Sequence, residues 1–183
     1  ETTSTVLLKH HLKALRLPTI LSECDKVAAR CATENVDHLG FLLQLCELEL
    51  VDRERRAAER RLKAARFPTQ KTLEDFDFSA QTSLNKVLVG ELMRGAFVDQ
   101  RESVILLGNP GTGKTHLATA IGVAGIAAKG KRVRFYSTVD LVNALEQEKA
   151  QGKAGRIAAT LQRMDLVILD ELGYLPFSQA GGA

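Results

Sequence analysis

The sequence predicts an α/β fold, a parallel sheet flanked by helices and preceded by a small all-α region, and three observations predict it. Residues 1–66 read as helical. From Ser103 onward, short apolar runs alternate with amphipathic stretches, as strands alternate with crossover helices. A glycine-rich loop, Gly108–Thr115, falls where a strand candidate meets a helix candidate. The expected division is a helical domain over 1–66, a linker and lead-in over 67–103, and a core over 104–183.

In the first region Leu8, Leu12 and Leu15 follow helical spacing and stop at Pro18. A longer run from His38 carries Leu39, Leu42, Leu43, Leu45, Cys46, Leu48 and Leu50, the apolar density of a core helix. It continues without a breaker into Asp52–Arg66, where seven basic residues stand against three acidic ones, and Phe67-Pro68 ends it. The lead-in places Phe76 and Phe78 on either side of Asp77 and then a helix over Asn85–Arg94. In the core, Ser103–Leu107 is expected as a buried strand and Lys114–Ala128 as an amphipathic helix. Arg132–Tyr136 is a second strand, Val139–Gln151 and Ile157–Arg163 are helices, and Leu166–Leu169 is a third strand.

The 183 residues suffice for one ordinary domain, or for a small one joined to part of a larger one. Hydrophobic residues at 45% and charged residues at 26% give a soluble, globular profile, with aliphatic side chains forming the core because there is no Trp. A net charge of +3 is compatible with nucleic acid without establishing it. Three cysteines without a CxxC pair argue against a disulfide framework or a zinc site, and Cys24 and Cys31 are expected as buried thiols on one helix face. No apolar run approaches the roughly 20 residues that cross a bilayer, so the expectation is no membrane and a reducing cytoplasm.

Gly108-Asn-Pro-Gly-Thr-Gly-Lys114-Thr115 fits G-x-x-x-x-G-K-[ST] at every fixed position. Glycines let the backbone curl so that successive N–H groups face phosphate oxygens, and the helix that starts there offers its positive end. Lys114 supplies a mobile charge to the outer phosphates, and the Thr115 hydroxyl suits Mg2+. Leu166-Val-Ile-Leu-Asp170-Glu171 delivers carboxylates at the end of a strand, where open parallel sheets hold their ligands. Asp170 is expected at the metal and Glu171 as general base toward water, with ATP the expected nucleotide. His116 is counted with Gly108, Asn109, Pro110, Gly111, Thr112, Gly113, Lys114 and Thr115 as lining the nucleotide, without chemistry of its own.

Asn109-Pro-Gly-Thr-Gly-Lys-Thr-His-Leu-Ala118 and Leu169-Asp-Glu-Leu-Gly-Tyr174, with Phe67-Pro-Thr-Gln-Lys-Thr-Leu-Glu-Asp-Phe76, resemble the IstB-like ATPases. These are helper proteins of bacterial insertion sequences, related to DnaC-type helicase loaders. The resemblance covers nearly the whole chain. It implies a P-loop NTPase of the AAA+ class, initiator clade, that hydrolyses ATP and assembles on duplex DNA as a homo-oligomer (ring or helical filament). It also implies recruitment of a transposase and a bacterial, nucleoid-associated location. By the same resemblance Phe76 and Phe78 approach the adenine base. The family inserts a further strand between the phosphate-loop strand and the Asp170 strand, then adds a sensor residue, an arginine finger and a helical lid. These would follow Ala183, so the natural protein is expected to continue.

Three basic clusters are candidates for DNA: Arg53–Arg66; Lys129, Lys131, Arg132 and Arg134; and Lys149, Lys153 and Arg156. The last, spaced four then three, is expected on one helix face and is the favoured DNA contact. The first has a plainer reading as a solvated, self-paired helix surface, and the second as a soluble loop. Competing functions are a helicase loader, a kinase using the same loop, and an ATP-gated scaffold that binds without turnover.

Overall fold

The computed structural model describes residues 3–173, and the chain divides into two compact units, Glu1–Ala57 and Ala58–Ala183. Among the described residues no helix is long and apolar enough to cross a membrane.

The first unit holds α1 (Thr3–Ala14), α2 (Pro18–Thr33) and the start of α3 (His38–Ala65). Helix α1 ends before Pro18. Arg16 takes φ +57, and the N–H groups of Arg16 and Leu17 donate to the carbonyls of Lys13 and Leu12, a left-handed helix stop. Pro18 instead opens α2, where its missing N–H would have had no partner anyway. Leu12, Ile20, Val27, Cys31 and Leu45 form the core of this unit. Glu49 on α3 is buried, at 3% exposure, because its carboxylate accepts the Thr19 and Ile20 N–H groups at 2.8 and 3.1 Å and caps α2. Arg56 supplies its counter-charge at 3.1 Å.

Two expectations need correcting here. Helix α3 is not a core helix on all sides: Leu45 is buried, but Leu39, Leu43 and Leu50 stand 75%, 58% and 57% exposed. Periodicity alone cannot show which face of this helix packs into the core of the unit, as Leu45 does. Cys31 is buried as expected and Cys24 only half-buried, with burial pushing its thiol pKa up.

The second unit contains the end of α3, α4 (Lys86–Arg94), α5 (Ala96–Asp99), α6 (Lys114–Lys129), β1 (Val133–Ser137), α7 (Thr138–Ala150), α8 (Arg156–Leu161) and β2 (Leu166–Asp170). Strands β1 and β2 pair in parallel from Val133↔Leu166 to Ser137↔Asp170, so both carboxyl ends finish level. Asn85 caps α4 by accepting the Val87 and Leu88 N–H groups, and Gly95 ends it in the left-handed region. Helix α6 lies against the sheet through Ile126, which packs with Ala65 and Val133, while Leu117 and Ile121 join Phe76, Val89 and Phe97. Gly122 makes this approach possible, because a Cβ there would come within 2.8 Å of Phe67 and 2.9 Å of Ile168. The mixed helix-and-strand fold with its small parallel sheet agrees with the P-loop AAA+ class.

Ser103–Leu107 departs from expectation. It forms no strand, and Ile105 and Leu107 are 77% and 89% exposed. A strand exists only through a ladder with a neighbour, and among the described residues the one ladder joins β1 to β2.

Candidate functional site

The loop from Gly108 to Gly113 runs into α6 with Gly113 at φ +84, a conformation that favours glycine. Its shape is held locally. The Thr112 hydroxyl donates to the Asn109 carbonyl at 2.8 Å, and the Lys114 ammonium donates to the Gly108 and Asn109 carbonyls at 2.9 and 2.7 Å. Pro110 and Gly111 form the exposed turn between these anchors, Gly111 at φ +77.

The second half of the site arrives from β2. The Thr115 hydroxyl, in the first turn of α6, donates to Asp170 Oδ2 at 2.8 Å across 55 positions of sequence. The Glu171 N–H donates to Asp170 Oδ1 at 3.0 Å, and the Thr138 hydroxyl donates to the Asp170 carbonyl at 2.7 Å. Glu171 leaves the strand at φ +59. A non-glycine residue in that region is strained and is held only where its surroundings demand it.

Residues of the lead-in close over the loop. A Cβ on Gly113 would come within 2.8 Å of the Phe76 ring, so ring and loop touch only because position 113 is glycine. Phe76 meets Phe78 edge-on at 5.0 Å and His116 at 5.2 Å, and Lys86 lies 5.2 Å from the Phe78 ring centre. His116 Nε2 is 2.9 Å from the Thr72 carbonyl, and Asp75 closes that turn by accepting the Thr72 hydroxyl and N–H. Those hydrogen bonds, the hydroxyl's foremost, hold the Asp75 carboxyl below its usual range. His116 therefore ties the Thr72–Phe76 turn to the phosphate-loop helix, a role its sequence position did not reveal.

These groups suit a magnesium–triphosphate. Among the described residues no group of three or more His, Cys, Asp or Glu could hold a metal by itself. The pair Thr115 and Asp170 would hold a hard cation whose remaining ligands are phosphate oxygens and water, the usual manner for Mg2+. Lys114 and the amino end of α6 supply positive charge beside it.

The basic clusters separate. Lys129 and Lys131 both pair with Asp99, whose carboxyl they hold below its usual range, Lys131 the more strongly. Arg132 binds Asp165 through its side chain at 2.9 Å and through its backbone N–H, pulling Asp165 down to about 2. Arg134 donates to the Ala64 carbonyl and lies over Tyr136. This cluster is self-paired. Lys149, Lys153 and Arg156 are exposed, and Lys153 donates to the Gln151 side-chain carbonyl. They do not share one helix face, which corrects the expectation. Gly152 at φ +66 stops α7, with the Gly152 and Lys153 N–H groups donating to the Lys149 and Glu148 carbonyls, and α8 restarts only at Arg156. Thr138 and the His116–Thr72 contact were missed from sequence. Thr138 was within reach, because parallel strands that end level bring residues after Ser137 beside Asp170.

Comparison with known proteins bears on the same residues. The family described as IstB-like ATP binding protein matches residues 10–183. A protein of Geobacillus stearothermophilus named for ATP binding in insertion sequence IS5376 is 35% identical over 88% of this chain and 64% of its own length. Its counterpart in insertion sequence IS21 of Pseudomonas aeruginosa is 38% identical over 92% of this chain and 63% of its own length. The chain thus spans less than two thirds of these two relatives. A third, from insertion sequence IS232 of Bacillus thuringiensis subsp. berliner, is 31% identical over 92% of this chain and 67% of its own length. With the loop, the acidic strand end and a family match over both units, the chain belongs to the IstB-like ATP binding proteins.

Proposed function

We propose that this chain is the ATP-binding and ATP-hydrolysing part of a DNA transposition helper that assembles on duplex DNA as a homo-oligomer and recruits or stimulates a transposase. The observation that carries the reading is the 2.8 Å contact between Thr115 and Asp170, which joins the phosphate loop to the acidic strand end. The relatives named for insertion sequences supply the transposition context.

In this reading the loop amides and Lys114 bind the outer phosphates, and the Phe76–Phe78 segment lies toward the base. Bound magnesium would neutralise phosphate charge. Glu171 accepts the proton of the attacking water, and Asp170 and Thr115 orient the metal side of the site. The exposed cations Lys149, Lys153 and Arg156 contact DNA phosphates without reading sequence.

The test uses the full natural protein with ATP and duplex DNA. Wild type should hydrolyse ATP and form rings or filaments on duplex, visible by electron microscopy. Glu171→Gln should keep assembly while slowing turnover by about a hundredfold or more. Lys114→Ala should abolish nucleotide affinity in a calorimeter. Unchanged affinity in that variant would sink the reading, while preference for single strands would favour a helicase loader.

A further inference from the structure

Asp170 is engaged at all three of its oxygens, by one residue of α6, one of α7 and the next residue of its own chain. Thr115 of α6 donates to Oδ2, the Glu171 N–H donates to Oδ1, and Thr138 of α7 donates to the main-chain carbonyl at 2.7 Å. Thr138 is 6% exposed, and its hydroxyl finds its partner in this carbonyl. Its location follows from the register: Ser137 pairs with Asp170, and the chain turns there into α7, which places the next side chain against the end of β2.

That carbonyl belongs to the peptide linking Asp170 to Glu171. Immediately after it the backbone enters the left-handed region at φ +59, which costs a non-glycine residue about 1–2 kcal/mol. A peptide with that strain beside it turns readily unless something holds it, and a turn would swing both carboxylates. We propose that Thr138 is a positioning residue for ATP hydrolysis. Its hydroxyl fixes the Asp170–Glu171 peptide, keeping Asp170 on Thr115 and Glu171 on a single bearing. The inference rests on the reading that Glu171 serves hydrolysis.

The experiment compares Thr138→Val, Thr138→Ser and Thr138→Ala in the full natural protein with duplex DNA. It measures turnover at saturating ATP, affinity for a slowly hydrolysed ATP analogue, the magnesium concentration for half-maximal turnover, and the melting temperature. Removing the hydroxyl (Val, Ala) should cut turnover by about tenfold to a hundredfold and raise the magnesium requirement, with analogue affinity unchanged. Thr138→Ser should restore turnover and the magnesium requirement. Wild-type turnover in the Val variant would overturn the proposal. So would equal losses in the Ser and Ala variants, which differ only in the hydroxyl, and this pair decides the matter should the Val protein fail to fold. An inactive wild type would defeat the hydrolysis reading itself, a result distinct from an active wild type with an active Val variant.

Discussion

The phosphate loop and the acidic strand end face each other across one hydrogen bond, yet different forces hold them. The loop is approached through Ser103–Leu107, an exposed stretch without a ladder, and keeps its form through bonds among its own residues and the Phe76 ring. The strand end sits at the close of a five-residue parallel ladder and is gripped from α6 and α7. One half of the site is thus encoded over eight consecutive residues, and the other is assembled from segments more than thirty positions apart. A local motif survives an irregular approach because its glycines and the helix start dictate the backbone. A strand end has no such autonomy.

This contrast can be broken by substitution on either side. The largest effect is expected from Gly113→Ala, which forces alanine to φ +84 and drives a Cβ to 2.8 Å from Phe76. Left-handed strain and overpacking together should cost about 2–4 kcal/mol, read by chemical denaturation, and nucleotide affinity should fall with it. Gly122→Ala should cost about 1–2 kcal/mol, since the clash with Phe67 and Ile168 is partly offset by better helix propensity. It strikes the strand side, so nucleotide affinity should stay near wild type; a parallel loss of affinity would erase the distinction between the halves.

His116→Leu sharpens the account of the loop side. Losing the Thr72 bond should weaken ATP binding by about 1 kcal/mol in a calorimetric titration, and His116→Gln, which keeps a donor, should recover most of it. The smallest effect belongs to Asp165, at the start of β2. Its carboxyl is lowered from 3.8 to about 2 by Arg132, so its contribution is present above 3.8 and disappears as pH falls through about 2. Because the Arg132 side chain is 55% exposed and water screens the pair, Asp165→Asn should cost under about 1 kcal/mol near neutral pH and flatten the acid limb of a pH–stability profile.

Helices were the most legible feature. Asn85–Arg94 and Lys114–Ala128 were expected as helices, and α4 (Lys86–Arg94) and α6 (Lys114–Lys129) lie there. Leu166–Asp170 was legible as a strand because its apolar run ends in a carboxylate pair. Ser103–Leu107 read the same way and forms none, since an apolar run reports a wish for burial and not the presence of an edge to pair with. The cations at Lys149, Lys153 and Arg156 were read through a helix that two left-handed glycines interrupt, and glycine's tolerance of both helix and turn hid the break. The exposed leucines of α3 show the same limit, because composition cannot say which faces find partners.

By itself the amino-acid order determined the phosphate loop, most of the helices and the family, because each depends on residue type at fixed spacing along the chain. Only the tertiary structure decided that Asp170 meets Thr115, that Thr138 grips its carbonyl, and that His116 binds the Thr72 turn. Those contacts join residues 32 to 55 positions apart, so they depend on strand register and on how closely α6 can approach the sheet, neither of which is written at any single position.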